Sequence, residues 1–186
     1  LFALDKNKLK TIQQKLGFNI PNVKNQTIWL HGVSLGEIKI LSPLAKKLSN
    51  QGQNILITST TNTGLEELNK NFSNSDIKTL PFPYDLEFAH KKIIINFKVN
   101  KIILFESEFW PNLLNAAKNL NVVSLNSTIS DTSFKRFKML KVFSKTLFSK
   151  IDLFLAQSKI TIDRLEFFEV KNIKHIGNIK INPENY

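Results

Sequence analysis

The sequence contains no cysteine, a single methionine and only six glycines. Without cysteine the chain forms neither disulfides nor thiolate metal sites, and a reducing compartment is compatible with it. No apolar run approaches the roughly 20 residues that a membrane-spanning helix requires. The apolar start at residues 1–4 is too short for a signal peptide. With 42% hydrophobic residues in 186 positions, the composition favours a globular chain with one sizeable core.

Several signatures of nucleotide, metal and nucleophilic sites are also absent. Neither G-x-x-x-x-G-K-[ST] nor G-x-G-x-x-G occurs, so these nucleotide fingerprints give no support for nucleotide binding. The lack of D-x-D disfavours a glycosyltransferase that bridges its nucleotide sugar through a metal. His31, His90 and His175 have no metal-ligand spacing, and no nucleophile elbow is present. We therefore expect no metal and no other cofactor.

Positive charge is plentiful. Lys and Arg number 26 against 15 Asp and Glu, which gives a net charge of +11. This excess favours anionic partners such as nucleic acid, phosphates or an anionic membrane face. The abundance of Lys, Asn, Ile and Phe is also typical of AT-rich genomes, so a compositional origin of the charge stays open.

Short apolar segments alternate with longer segments of helical periodicity after residue 26. Residues 1–26 are polar, with a weak helical pattern that ends at Gly17. The alternation predicts βαβ units, and thus an α/β fold with a parallel sheet and helices on both faces. Functional loops in such folds follow the carboxyl ends of the strands. The predicted strands are 28–30, 55–57, 77–80, 101–105, 122–125, 153–156 and 173–176.

Two helix predictions depend on specific residues. Asp85 is expected to cap a helix that runs to about residue 97. Residues 130–150 are expected to form one long helix with an apolar stripe of Phe and Leu among basic residues. That helix fits either the solvated face of a core helix or a surface that binds anionic lipid. Its aromatic–basic pattern also admits nucleic acid, although no RRM, KH or helix-turn-helix signature supports this.

The stretch from Thr27 to Glu37 combines an apolar strand, a turn at His31-Gly32 and the start of a helix. Ser34 and Glu37 have the spacing of a capping box, with Ser34 as the cap. A carboxylate at the mouth of a cleft can also act as a general base. Spacing alone favours the cap and leaves both roles open.

Two further loops carry polar residues after predicted strands. Glu106 and Glu108 follow an apolar strand, where two carboxylates can bind metal, orient a sugar hydroxyl or cap the next helix. Pro111 suits the first turn of that helix. The loop 58–64 is rich in hydroxyl groups, which fit a phosphate or sugar contact and an ordinary loop equally well.

Taken together, these loops resemble the N-terminal domain of the bacterial 3-deoxy-D-manno-octulosonic-acid (Kdo) transferases. Their order and spacing agree along nearly the whole chain, whereas any single motif is weak. The resemblance implies a GT-B glycosyltransferase, with two Rossmann-like domains and an active site between them. The matching stretches are 29–37, 58–64, 83–85, 106–113, 156–158 and 177–180.

The resemblance also implies a domain organisation and a reaction. Residues 27–182 would be the acceptor-binding domain, and residues 1–26 a helical or polar segment after a membrane anchor that this sequence does not include. The donor, CMP-Kdo, would bind a C-terminal domain that is also absent, so the chain alone is expected to be inactive. The implied reaction is inverting, metal-independent transfer of Kdo to a lipid A precursor (lipid IVA) in lipopolysaccharide core biosynthesis. It would take place at the cytoplasmic side of the bacterial inner membrane.

Residue roles follow from the same resemblance. Glu37 matches the catalytic base, and Glu106 and Lys180 match positions assigned to transition-state stabilisation. The predicted acceptor-binding residues are Ser34, Gly36, Thr60, Thr61, Glu108 and Asn126. The predicted membrane-facing residues are Lys135, Arg136, Lys138 and Lys141.

The chain departs from the family pattern after Asn126, where Ser127-Thr128 replaces the usual Ala-Arg. Two alternatives remain beside the resemblance: a GT-B transferase with another acceptor, and a basic α/β module that binds nucleic acid. The resemblance itself implies no nucleic-acid partner.

Overall fold

The computed structural model describes residues 6–180, apart from the side chain of Asn7. Within that range seven strands form one sheet, and every strand pairing is parallel. This confirms the α/β fold predicted from the alternation of apolar segments. The strands are β1 Thr27–Gly32, β2 Asn54–Ser59, β3 Lys78–Pro81, β4 Val99–Phe105, β5 Asn121–Ser127, β6 Leu153–Ala156 and β7 Ile173–His175.

Helices cover both faces of the sheet. Successive strand residues point to opposite sides, so each face carries apolar side chains that the helices bury. Trp29 and Leu56 belong to one core cluster, whereas Leu30 and Ile57 belong to the other. The helices are α1 Lys6–Lys15, α2 Leu35–Asn50, α3 Asn62–Phe72, α4 Glu87–Asn96, α5 Pro111–Ala116, α6 Asp131–Met139, α7 Lys141–Phe148 and α8 Lys159–Phe167. None of the helices described is long and apolar enough to cross a membrane.

The strand order creates a switch point in the middle of the sheet. The order is β3-β2-β1-β4-β5-β6-β7, so the chain builds outward from β1 in one direction and from β4 in the other. The loops after β1 and β4 therefore diverge to opposite faces and leave a crevice at the carboxyl edge. Ligands of open α/β sheets bind at such a crevice.

The single helix predicted over residues 130–150 is wrong. The backbone breaks at Leu140 (φ −111°, ψ 45°), where α6 ends and α7 begins. Both halves pack on the same ring: Phe137 of α6 and Phe148 of α7 lie 6.4 Å and 5.3 Å from Phe168 between ring centroids. The Ser144 hydroxyl donates to the Phe137 carbonyl across the break. The apolar periodicity of residues 130–150 is continuous and contains no Gly or Pro, so nothing in the sequence indicated this break.

The predicted cap of α4 by Asp85 is also wrong, because Leu86 occupies the cap position and makes no side-chain cap bond. The Asp85 carboxylate instead accepts the backbone N–H groups of Asn112 (3.2 Å) and Leu113 (3.0 Å) at the start of α5. Its Oδ1 also lies 2.9 Å from His90 Nε2. A cap from a loop distant in sequence is not visible in local spacing.

The segment before β1 contains the predicted helix, which ends at Lys15 just before Gly17 (φ 78°). Leu4, the first apolar position of the predicted pattern, lies outside the described residues. The Tyr84 N–H donates to the Lys15 carbonyl at 2.9 Å, and this bond ties α1 to the loop after β3. The boundary proposed at residues 26 and 27 stays a prediction.

Candidate active site

Gly32 at the end of β1 lets the next helix begin close to the strand. A Cβ atom at this position would lie 2.9 Å from Leu41 Cδ1 and 3.2 Å from the Glu37 Cβ. Ser34 then caps α2 with extended backbone angles, and its hydroxyl accepts the Glu37 N–H. The predicted cap at Ser34 is confirmed.

The Glu37 side chain folds back over this helix start and is buried, with the residue only 8% exposed. Its Oε2 accepts the Val33 N–H at 2.7 Å, and its Oε1 accepts the Ser34 hydroxyl at 2.9 Å. The positive end of the helix dipole also favours a negative charge at this position. The carboxylate is thus fixed in one orientation at the crevice, as a general base requires.

Glu106 directly follows β4, and Asn126 lies near the end of β5. Both residues have left-handed backbone angles, with φ of 59° and 55°. Such angles are uncommon for residues other than glycine and concentrate at functional sites. The Glu106 N–H donates to the Leu125 carbonyl at 2.8 Å, and Asn126 Nδ2 donates to Glu106 Oε1 at 3.4 Å. Neighbouring strand ends therefore hold the Glu106 side chain in place.

Lys180 reaches the same point from the far end of the chain. Its Nζ lies 2.6 Å from Glu106 Oε1, and the Ile179 N–H beside it donates to Asn126 Oδ1 at 3.2 Å. Residues 106, 126 and 180 therefore form one cluster, although β6 and β7 lie between residues 126 and 180 in the sequence. Asn126 is fully buried and bonds to the Glu106 side chain and to the backbone of Ile179, the neighbour of Lys180.

Glu108 places a third carboxylate in this region. Its Oε2 accepts the indole N–H of Trp110 at 2.7 Å. Burial, with the negative charges of Glu37 and Glu106 as smaller contributions, raises the pKa of Glu108 to about 7. Glu37, after β1, is therefore close enough to Glu108, after β4, for the two carboxylates to affect each other's charge.

The hydroxyl-rich loop after β2 has two different kinds of threonine. The Thr61 hydroxyl accepts the Gly64 N–H as the cap of α3 and donates to the Val33 carbonyl at 3.0 Å. Thr61 therefore fixes this loop to the strand that leads to Glu37. The Thr60 hydroxyl, in contrast, is buried without a hydrogen-bond partner among the described residues. Because buried polar groups normally have a partner, this hydroxyl calls for an ordered water or a ligand group as its explanation.

Gly36 is exposed on the first turn of α2, and a Cβ there would meet only the Ser34 hydroxyl, at 3.9 Å. The space in front of Glu37 is therefore open at this glycine. The predicted membrane-facing residues lie elsewhere, on α6 and the start of α7. All four of these basic residues are exposed there.

His31 is a member of this region that sequence reasoning discounted. Its ring is fully buried, stacks on Phe82 at 3.7 Å between centroids and lies 3.8 Å from a Glu108 oxygen. The only signal in the sequence was its position in the turn before Glu37. In residues 6–180, no group of three or more His, Asp or Glu side chains is arranged to hold a metal ion.

Comparison with known proteins identifies the family. Residues 10–182 match the family described as 3-deoxy-D-manno-octulosonic-acid transferase (Kdo transferase). The chain belongs to this family. It is also 31% identical to a 3-deoxy-D-manno-octulosonic acid transferase of Chlamydophila psittaci, over 94% of the chain and 42% of that protein. The resemblance inferred from the loops is confirmed.

Two other relatives extend this comparison. A bifunctional glycosyltransferase/methyltransferase of Fusobacterium nucleatum is 35% identical over 97% of the chain and 30% of its own length. The 3-deoxy-D-manno-octulosonic acid transferase of Haemophilus influenzae is 32% identical over 83% of the chain and 38% of its length. The chain thus spans less than half the length of these relatives.

Solved structures support the fold alone. A UDP-N-acetylglucosamine 2-epimerase from Listeria monocytogenes superposes with a TM-score of 0.60 at 12% identity, over 88% of the chain and 50% of the epimerase. A second UDP-N-acetylglucosamine 2-epimerase gives 0.60 at 13% identity, over 86% and 50%. Both fit the Rossmann-like fold that GT-B glycosyltransferases use for their N-terminal domain.

Proposed function

We propose that this chain is the acceptor-binding half of an inverting glycosyltransferase that moves Kdo from CMP-Kdo to a lipid A precursor. The main observation is the buried Glu37 carboxylate, held by Val33 and Ser34 at the β1–β4 switch point. Family membership supports Kdo as the transferred sugar. The greater length of the relatives supports a donor domain outside this chain.

In this proposal Glu37 removes the proton from a glucosamine hydroxyl of the acceptor. The hydroxyl oxygen forms a bond to the anomeric carbon of Kdo while the bond from that carbon to the CMP phosphate breaks. Attack opposite the leaving group inverts the configuration. Because each Glu37 oxygen accepts one hydrogen bond from the described part of the chain, both retain a lone pair that can receive the proton.

Lys180 is proposed to stabilise the negative charge that develops on the departing phosphate. Its ammonium group is held by Glu106 at 2.6 Å, so Glu106 acts as a positioning residue for it. The open face of Gly36 and the Thr60 hydroxyl, which has no hydrogen-bond partner within residues 6–180, are proposed to contact the acceptor.

The corner between α6 and α7 is proposed to bind the cytoplasmic face of the inner membrane. Four apolar side chains are exposed at this corner: Met139 (85%), Val142 (81%), Leu140 (63%) and Phe143 (51%). Lys135, Arg136, Lys138 and Lys141 surround them. Exposed apolar side chains among basic residues match an interface that binds anionic lipid.

The reaction is tested by incubating the full-length protein with CMP-Kdo and a lipid A precursor and analysing the product by mass spectrometry. A Kdo-bearing lipid and free CMP are the expected products, and Lys180→Gln should reduce their rate far more than Lys174→Gln on exposed β7. Equal rates in the two variants would contradict the role of Lys180. Salt-dependent binding of oligonucleotides without Kdo transfer would instead support the nucleic-acid alternative.

The membrane surface is tested by sedimentation with vesicles rich in phosphatidylglycerol. Lys138→Glu together with Lys141→Glu should weaken binding, whereas the matched pair Lys171→Glu and Lys174→Glu should change it little. Met139→Ser with Val142→Ser should also weaken binding at constant charge. Equal binding by all variants would exclude this surface.

A further inference from the structure

One ring nitrogen of His31 has an unusual environment beside the proposed site. The ring is fully buried, and its Nε2 lacks a hydrogen-bond partner among the residues described. The nearest acidic group is Glu108, whose Oε2 lies 3.8 Å away. A buried polar atom without a partner is costly, so the identity of the group that faces it matters.

The other ring nitrogen indicates where the His31 proton resides. His31 Nδ1 lies 3.3 Å from the Thr58 carbonyl and 3.0 Å from the Thr58 hydroxyl. A carbonyl only accepts, and the Thr58 hydroxyl can donate to the Leu30 carbonyl instead, so the proton belongs on Nδ1. Burial lowers the pKa of His31 to about 3, which keeps the ring neutral. Nε2 therefore presents a bare lone pair to Glu108.

Two bare acceptors facing each other at 3.8 Å would repel, whereas a proton carried by the carboxyl between them would replace this repulsion by attraction. The other charges facing Glu108 also oppose its ionisation: Glu37 on α2 and Glu106 on its own loop are negative. The positively charged Lys180 forms an ion pair with Glu106, with Nζ 2.6 Å from Oε1. His90 on α4 is paired with Asp85. The raised pKa of Glu108 agrees with this geometry.

We infer that Glu108 and His31 share one buried proton at the wall of the site, so that Glu37 faces a neutral carboxyl rather than a second negative charge. Glu108 is then a positioning residue that sets the electrostatic environment of Glu37 and the anionic donor. This consequence for catalysis rests on the proposed function, whereas the shared proton does not.

The shared proton can be observed through the indole groups, because the chain has only Trp29 and Trp110. Trp110 Nε1 donates to Glu108, and Trp29 Nε1 donates to Thr58 at 2.9 Å in the core. In ¹H–¹⁵N spectra of the full chain, the Trp110 indole signal should titrate with a midpoint near 7. It should stay constant in Glu108→Gln, with the Trp29 signal as a control for folding. A midpoint at the ordinary value of a glutamate would overturn the inference.

The effect on catalysis is tested by the pH dependence of Kdo transfer in the full-length protein. Since Glu108 must be protonated, the wild-type rate should fall about tenfold for each pH unit above the midpoint. In Glu108→Gln, the ratio of the rates at pH 6 and pH 8 should stay within about twofold, whatever the rate at pH 6. An unchanged fall in this variant would overturn the positioning role. If the wild type transfers no Kdo, the proposed function fails, and the indole titration still decides the shared proton.

Discussion

Two glycines beside Glu37 give opposite predictions when each is replaced by alanine. In Gly32→Ala the new Cβ would lie 2.9 Å from Leu41 Cδ1 and 3.2 Å from the Glu37 Cβ, so both residues must move. Overpacking of this kind costs about 1–3 kcal/mol. In Gly36→Ala the nearest atom, the Ser34 hydroxyl, is 3.9 Å away. Because Gly36 is helical, alanine there should stabilise the fold by about 0.4–1 kcal/mol.

Urea unfolding of the two variants measures both free energies of unfolding against the wild type, with comparable m-values as the check on two-state behaviour. The structural reasoning is refuted if Gly32→Ala is as stable as the wild type, or if Gly36→Ala loses more than about 1 kcal/mol. Transfer activity adds a second result. Gly32→Ala should lose activity, though by less than about 100-fold, because Glu37 must shift by a few tenths of an ångström and displacements near 1 Å can cost about 100-fold. Gly36→Ala should lose activity while folding normally if the acceptor approaches over Gly36.

Two further predictions concern stability. Glu108 has a pKa of about 7 in the folded chain and 4.5 as its ordinary value, so its ionisation costs the fold about 3 kcal/mol. The free energy of unfolding should therefore decrease by this amount as the pH rises from 4.5 through 7. Urea unfolding at pH 5 and pH 8 should show the decrease in the wild type but not in Glu108→Gln. Asp85→Ala should destabilise the fold by at least ~1 kcal/mol, since α5 loses its cap and buried His90 loses a partner. Exposed Asp76→Ala is its control, and equal thermal stability of the two variants would contradict the cap.

The sheet and its functional edge were predictable because their signals are local. Apolar segments such as 55–57 and 101–105 are short and bounded by polar turns, and both became strands of the sheet. The Ser34 cap follows from the spacing of Ser34 and Glu37, and the structure has it, but the Glu37 carboxylate accepts the Val33 N–H where a capping box would use the Ser34 N–H. Parallel strands then place the loops after β1 and β4 at the same edge without further information.

The features that were missed depend on contacts distant in sequence. Asp85 caps a helix that begins 26 positions later, at Pro111, so its neighbours gave no hint of this role. The break at Leu140 has no signature in the apolar spacing, which continues through it from α6 into α7. His31 lacked metal spacing, and only the folded chain brings Glu108 to its unpartnered nitrogen. The roles assigned to the site residues stay predictions until they are measured.

The central claim is that Glu37 is the general base. Steady-state Kdo transfer by full-length Glu37→Gln, compared with the wild type and with the exposed control Glu166→Gln on α8, tests it most directly. Glutamine preserves the size of the side chain but cannot take the hydroxyl proton, so kcat should fall by about 10²- to 10⁴-fold. The KM for the acceptor should change little, and Glu166→Gln should behave as the wild type. A Glu37→Gln variant that transfers Kdo at the wild-type kcat would contradict the account.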